Sequence, residues 1–349
     1  MLTFIDLFAG IGGFRIALQN LGCRCVLSSE IDPHSRKVYA ANHDHLPENE
    51  DIHDLDEKDV PDHDILCGGF PCQAFSIAGR KYGFEDARGT LFFEVARILN
   101  YKKPKAFILE NVQGLVHHNK GKTLKVILDI LRNDLNYFVP DPKILNAKNF
   151  GVPQNRPRIF IVGFREDLNI DYFHYPEPTC QPVAIKDILE EKEVSVKYYL
   201  SQTYLETLYK HRQRHKDKGN GFGFEIIPHH DISNAIVVGG MGKERNLVID
   251  KRLTNFIPVT HIKGEVNRDL VRRMTPREWA RLQGFPDSFQ IVVSDVQAYK
   301  QFGNSVAIPV VEAVAREVIQ KITLSSRESA PVPALYPLDR RFVTEALAR

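Results

Sequence analysis

In the stretch Asp64-Ile-Leu-Cys-Gly-Gly-Phe-Pro-Cys-Gln-Ala-Phe-Ser76, an apolar run meets Gly68-Gly69, and Pro71 stands just before Cys72. Ile65, Leu66 and Cys67 read as the end of a short buried strand, because the apolar run stops at a turn signal. Pro71 fixes its own φ, removes a backbone donor and restricts the residue before it. Cys72 is therefore predicted on a stiff loop just past a strand end, where open α/β sheets carry their chemistry. A thiol there can be a nucleophile, a metal ligand or a small buried hydrophobe. The four residues between Cys67 and Cys72, with no nearby His or Cys pair, suit zinc poorly, and no metal site is expected. Nucleophile and buried cysteine both stay open.

Two further groups with chemical potential stand at predicted strand ends. Lys105-Ala-Phe-Ile-Leu-Glu-Asn-Val112 reads as a strand with Glu110 near its carboxyl end, where burial would raise the pKa of a carboxyl group. Phe150-Gly-Val-Pro-Gln-Asn-Arg-Pro-Arg-Ile-Phe-Ile-Val-Gly163 places Arg156 and Arg158 just before another strand.

The elements that must position these groups begin at the N-terminus. Leu2 to Phe8 has a strand pattern, Ala9-Gly-Ile-Gly-Gly13 a turn, and Phe14 to Leu21 a helical run. Strand, glycine turn and helix form the first half of a nucleotide-binding unit. A second strand, Cys25 to Ser29, ends at Glu30, where a carboxylate would take ribose hydroxyls. Gly10-x-Gly12-Gly13 is not the dinucleotide fingerprint, and Asp6 at the first strand's end suits an amino group better than a pyrophosphate. Asp51-Ile52 would flank an adenine. Together these residues favour an adenosyl cofactor such as S-adenosylmethionine. Phe75 to Gly89, with three glycines among Arg80, Lys81 and Arg88, suits a lid closing over a polyanion.

Composition narrows the class. With 349 residues, 43% hydrophobic, the chain has the length for one large domain or two unequal ones. Five cysteines are odd in number and sparse, which predicts a reducing compartment, the cytoplasm, rather than a disulfide framework. The N-terminus lacks the basic segment and cleavage site of a signal peptide, and no apolar window is long enough to span a membrane. Net charge is only +2, so a polyanion must meet a local patch. Ten carboxylates against one lysine between Asp44 and Asp64 would repel phosphate. Arg268, Arg272, Arg273, Arg277 and Arg281 reverse the balance, and Lys210 to Lys218 is basic too. Such runs are usually solvated faces, but their segregation to the second half points towards nucleic acid.

Taken together, Asp6-Leu-Phe-Ala-Gly-Ile-Gly-Gly-Phe14, Gly69-Phe-Pro-Cys-Gln73, Glu110-Asn-Val112, Gln154-Asn-Arg-Pro-Arg158, Arg277-Glu-Trp-Ala-Arg-Leu-Gln-Gly284 and Gly303-Asn-Ser-Val306 occur in the order and spacing of the DNA (cytosine-5) methyltransferases. The chain resembles that family over nearly all of residues 3 to 322. It departs at Pro157, where an acidic residue is common. The resemblance implies an α/β, Rossmann-like S-adenosylmethionine-dependent domain with a mixed, mostly parallel sheet and a second, smaller target-recognition domain. The expected division is 1–185 completed by 300–324 for catalysis and cofactor, 186–272 for recognition, 273–299 as hinge and motif segment, and 325–349 as a tail.

The resemblance also assigns roles. Cys72 would add to carbon 6 of a flipped-out cytosine, Glu110 would hold the exocyclic amine and ring nitrogen 3, Arg158 would bind the base oxygen and Arg156 would help order the site. Asp6, Phe8, Gly10, Gly12, Phe14, Glu30, Ile31, Asp51, Ile52 and Asn304 would hold the cofactor. Ser76, Arg80, Lys243, Arg245, Arg272 and Arg273 would contact duplex DNA. The segment Gly219–Arg252 is similar to that of family members that modify CCGG, which implies the inner cytosine as target. A cognate restriction endonuclease would act on the same site without having to bind this chain, and a monomer is expected. An RNA methyltransferase on the same fold and a non-catalytic, cofactor-dependent DNA-binding protein are the alternatives; the guanine-reading candidates argue against the first, Cys72 and Glu110 against the second.

Overall fold

The computed structural model describes residues 1–43, 46–47, 51–71, 91–179, 183–220, 223–239, 242–256 and 264–328. Cys72, Ser76, Arg80, the expected lid and the tail beyond 328 lie outside the described residues.

The first half builds a sheet flanked by helices. β1 (Thr3–Leu7) leads into α1 (Gly13–Asn20), β2 (Arg24–Ser29) into α2 (Pro33–His43), and β3 (Ile65–Gly68) precedes α3 (Leu91–Lys102) and β4 (Ala106–Val112). After α4 (Lys122–Asp129) come the short β5 (Tyr137–Phe138), β6 (Lys143–Asn146), β7 (Gln154–Asn155) and the long β8 (Pro157–Arg165). The strands of the main sheet are ordered β2-β1-β3-β4-β8-β5, with β6 also pairing to β8. β2, β1, β3 and β4 are mutually parallel, while β8 runs antiparallel to β4, β5 and β6. The buried residues of β1, β3 and β4 are largely apolar because both faces of a parallel sheet are covered, with Asp6, Glu110 and Asn111 the exceptions.

Two consequences bear on function. The chain moves one way from β1 to β2 and the other way from β1 to β3, so the strand order reverses at β1, where a crevice opens at the carboxyl ends. The reversed direction of β8 brings its first residues to that same rim, with Arg158 in register with Val112.

The second half contributes smaller pieces. α5 (Gln202–Asp217) is capped by Ser201, whose hydroxyl accepts from the Tyr204 N–H. β9 (Ser233–Asn234) pairs with β7, and β10 (Leu247–Ile249) with β11 (Val271–Arg273). α5, β10 and β11 enclose a small core of Leu200, Leu205, Leu208, Phe224, Leu247 and Val271, separate from the main one. α6 (Pro276–Leu282) opens on a capping box between Thr275 and Glu278 with proline at its first position. α7 (Asp295–Asn304) and α8 (Ile308–Glu328) then return the chain to its beginning, α8 packing along α1. Gly13 permits this return: a Cβ there would lie 2.8 Å from Val306 Cγ2. Among the described residues no helix is long and apolar enough to cross a membrane.

Candidate active site

A cavity of about 720 Å³ occupies the crevice at the strand ends, well within the range for a cofactor-sized ligand. Each strand of the rim contributes. Phe8 to Ile11 follow β1, Ser29 to Asp32 follow β2, Gly69 to Pro71 follow β3, Glu110 to Val112 close β4, and Arg156 and Arg158 flank the start of β8. The segment 300–306 covers the cavity from the far end of the chain, apart from Phe302.

The reacting end is organised around Glu110. Its carboxyl is buried, and Oε1 lies 3.1 Å from Arg158 Nε. Burial raises the Glu110 pKa against the opposing pull of Arg158 and then Arg156. Burial likewise lowers the pKa of Arg158, with Glu110 working the other way. The result is a carboxyl group inclined to keep its proton beside a fixed guanidinium. The next residue fixes the loop opposite: Asn111 Nδ2 donates to the Phe70 carbonyl at 2.8 Å. Described structure ends one residue later, at Pro71, which lines the cavity immediately before Cys72 in sequence.

Arg156 has a different task. It is 2% exposed and spends its guanidinium on three carbonyls, Nη1 on Ile236 at 2.8 Å and Nη2 on Gly303 at 2.9 Å and Ser305 at 2.8 Å. It touches the cavity wall, but its donors hold protein backbone. These bonds tie the start of β8 to Ile236 and to the Gly303–Ser305 turn.

The opposite end suits an adenosyl group. Glu30 accepts from the Gly10 N–H through Oε2 and from the Asp32 N–H through Oε1, both at 2.7 Å, which fixes its carboxylate at the rim. Burial raises its pKa while those two bonds lower it. Ile31 leaves an apolar side chain 63% exposed beside it, and Asp51 and Ile52 line the same cavity. Phe8 takes a left-handed φ of 59°, a conformation a bulky residue adopts only where its surroundings impose it. A fixed carboxylate, an exposed apolar face and a turn open to backbone contact together fit S-adenosylmethionine. Phe8, Gly10, Phe14, Glu30, Ile31, Asp51, Ile52 and Asn304 all line this cavity, as expected.

Two expected cofactor residues do not. Asp6 lies within β1, in register with Ser28 and Cys67, and is wholly buried. Burial lifts its pKa to about 8, against the pull of Arg15. It supports the floor of the site and is not part of the cavity wall. Gly12 caps α1 at φ 90° and faces His43, where a Cβ would sit 2.1 Å from Nε2. Its glycine serves helix packing.

The expected DNA-contact residues divide in the same way. Arg272 is completely buried, paired with Asp250 and doubly with Glu278, all at 2.8 Å. Burial works against its charge, but Glu278 and Asp250 more than offset this and its pKa is raised. It cannot reach a phosphate, and that expectation is withdrawn. Arg273 is committed to Glu244 at 2.6 Å and leans on the Tyr204 ring. Lys243 lies over the Tyr299 ring, 4.4 Å from its centre. Arg245 alone of the four is exposed, with no ion pair or hydrogen bond from its guanidinium among the described residues.

Sequence reasoning missed Asp32 and Lys300. They line the cavity and pair at 2.6 Å, tying the start of α2 to α7 across the opening. Asp32 followed Glu30 by two residues, a usable signal; nothing near Lys300 named its partner. It also missed what Gln154 and Gln283 do, although both lie in motifs singled out above.

Comparison with known proteins completes the description. Residues 2–320 match the family described as C-5 cytosine-specific DNA methylase. Over 321 residues the chain is 62% identical to Type II methyltransferase M.HpaII of Haemophilus parainfluenzae, covering 92% of this chain and 90% of that one. It is 40% identical to Type II methyltransferase M.HhaI of Haemophilus parahaemolyticus over 321 residues, 91% and 94% of the two chains. Among solved structures, the S. pombe Dnmt2 methyltransferase superposes with a TM-score of 0.68 at 21% identity, covering 93% of this chain and 100% of that one. That last likeness concerns the fold.

Proposed function

The chain belongs to the C-5 cytosine-specific DNA methylases, and from that premise we propose that it methylates the inner cytosine of CCGG in duplex DNA through a covalent Cys72 adduct. As a member of the family it is a DNA cytosine-5 methyltransferase of the type II restriction-modification class and uses S-adenosylmethionine, which supplies the methyl group as an electrophile on sulfonium sulfur. The observation that supports the covalent route is the convergence of Glu110, Arg158 and the Gly69–Pro71 turn, one residue short of Cys72, on the cofactor cavity.

Carbon 5 of cytosine is a poor nucleophile in an aromatic ring. Addition of the Cys72 thiolate to carbon 6 breaks the aromaticity and pushes electron density towards ring nitrogen 3. Glu110, whose pKa burial raises against the pull of Arg158, gives a proton to that nitrogen and accepts from the exocyclic amine. Arg158, held beside it, meets the base oxygen. Carbon 5, now enamine-like, would take the methyl group as the sulfonium leaves as the neutral thioether; its proton would then pass to solvent and the proton on nitrogen 3 back to Glu110. Expulsion of Cys72 then restores the double bond. Neither face of a stacked base is open to this sequence, so the target is flipped out of the duplex.

In this reading Glu30 holds the ribose, Ile31, Asp51 and Ile52 flank the adenine, and Asn304 closes the site. A smaller recognition part is supported by the separate small core around α5, β10 and β11. Arg245, exposed and unpaired among the described residues, is the candidate for a guanine edge. Ser76 and Arg80 remain candidates for DNA contact. The target assignment rests on the likeness to a relative through Gly219–Arg252, the part of the chain free to vary with specificity. A monomer suffices for a symmetric four-base site, because one copy meets either strand in the same orientation. A cognate endonuclease would share the site without binding, and the cytoplasm is the place for such a pair.

Treating duplex DNA with the purified protein and S-adenosylmethionine, then sequencing for 5-methylcytosine, tests this directly. Methylation at the inner cytosine of CCGG is expected. Modification of the outer cytosine or of another motif would overturn the target; transfer to RNA alone would overturn the substrate.

A further inference from the structure

Gln154 and Gln283 are both fully buried. A buried amide is costly unless its donors and acceptor are satisfied, and here the partners lie in two places that the sequence keeps far apart. Gln154 Oε1 accepts the Ile236 N–H at 3.0 Å, and Nε2 donates to the Leu282 carbonyl at 2.8 Å and to Gln283 Oε1 at 3.3 Å. Gln283 Nε2 donates in turn to the carbonyls of Phe302 at 2.8 Å and Ser305 at 3.0 Å. Arg156 closes the loop by bonding Ile236, Gly303 and Ser305. Both backbone polar groups of Ile236 are therefore held by side chains from around β7, Gln154 and Arg156, while Arg156 and Gln283 grip the turn that carries Asn304 into the cavity. The contact is tight: a Cβ on Gly303 would lie 2.9 Å from Val238 Cγ2.

We propose that Gln154 and Gln283 are positioning residues that make the placement of the Ser233–Val238 segment and of the Gly303–Val306 cavity wall a single variable, so that cofactor occupancy and target recognition are coupled. This rests on the reading of the cavity as the cofactor site and of the region around Ile236 as part of the recognition unit. A ligand that orders the Asn304 turn fixes the carbonyls of Gly303 and Ser305. Those carbonyls fix Arg156 and Gln283, and Gln283 fixes Gln154. Ile236 follows, and with it the exposed pair Val237-Val238. Coupling of this kind is reciprocal, so the correct duplex must tighten the cofactor site by the factor by which the cofactor tightens the duplex.

The test measures the affinity of the full chain for S-adenosylhomocysteine by calorimetry, alone, with a duplex carrying the target mapped by sequencing, and with a duplex in which that target is scrambled. In wild type the mapped target should tighten binding about 5-fold or more, and the scrambled duplex should not. In Gln154→Met and Gln283→Met that ratio should fall to within about twofold of one. A residue that only holds the fold would weaken every affinity and leave the ratio alone. A wild-type ratio preserved in both variants, or a wild-type ratio of one, overturns the proposal. Hydrogen exchange on the wild type needs no variant: S-adenosylhomocysteine alone should slow exchange at the Ile236 N–H, and unchanged exchange there also overturns it. Wild type that binds no S-adenosylhomocysteine brings down the cofactor reading itself, a failure visible in the first titration.

Discussion

Arg158 Nε stands 3.1 Å from Glu110 Oε1, although the two residues come from neighbouring strands that run in opposite directions. Had β8 been parallel to β4, its first residues would lie at the other end of the sheet. The antiparallel pairing therefore puts a buried carboxyl and its guanidinium at the same rim.

For Glu110 the sign of the pH dependence follows from its environment. The carboxyl acts in its protonated form, and burial raises its pKa. The rate of adduct formation should fall as pH rises through that raised value, above the range of an ordinary glutamate, while thiolate formation limits the rate at lower pH. Glu110→Gln should lower turnover by about 10²–10⁴-fold, with DNA affinity largely kept. Rapid-quench pH profiles decide it: a variant with undiminished turnover on saturating DNA would make Glu110 a structural residue only.

Cys72→Ala should abolish methyl transfer and still bind DNA and cofactor, since the thiolate acts in the chemical step alone. Wild type should form a stable adduct with a duplex containing 5-fluorocytosine, whose fluorine blocks the last elimination. The adduct is read on a denaturing gel. Its absence, or methylation by the alanine variant, excludes the covalent route.

Asp6 makes a prediction about stability. Its pKa is about 8 in the folded chain, against about 3.9 when unfolded. The folded state thus holds a proton that the unfolded state releases first, and stability is fully present below about pH 4 and drains away as pH rises towards 8. Each pH unit in that window costs up to about 1.4 kcal/mol. Asp6→Asn should flatten the dependence. Urea melts of both proteins at pH 6 and pH 8 check this, and equal losses would mean that Asp6 is ionised in the fold.

Arg272→Met should destabilise the chain by about 3–5 kcal/mol, because Asp250 and Glu278 lose the charge between them. The salt slope of DNA binding should stay where it was. Arg245→Ala should do the reverse, leaving stability alone and relaxing discrimination at one base pair by about 1–3 kcal/mol. Uniform weakening across all sequences would instead make Arg245 a phosphate contact.

These arginines also show where sequence reading stops. The β1–turn–α1 unit, Glu30 and Glu110 were legible because their meaning depends on position relative to a strand end, and strand ends are marked by local apolar runs and glycines. The basic cluster around Arg272 was legible only as charge. Whether an arginine meets a phosphate or a carboxylate depends on residues such as Asp250 and Glu278, placed by β10, β11 and α6. Asp6 failed for a related reason: its place in β1 was right, but burial beneath the turn cannot be read from spacing. The Lys300–Asp32 pair joins points 268 residues apart, and no local pattern announces such a meeting.

The hold on Ile236 engages only its backbone N–H and C=O. Every non-proline residue carries those two groups, so the attachment does not depend on which side chain stands at that position. Lineages exchanging or mutating the surrounding segment could therefore acquire a new target while inheriting the old anchorage intact, provided that position 236 never becomes proline. Diversity of recognition and constancy of chemistry would then share one chain because the fastening between them is written in peptide bonds.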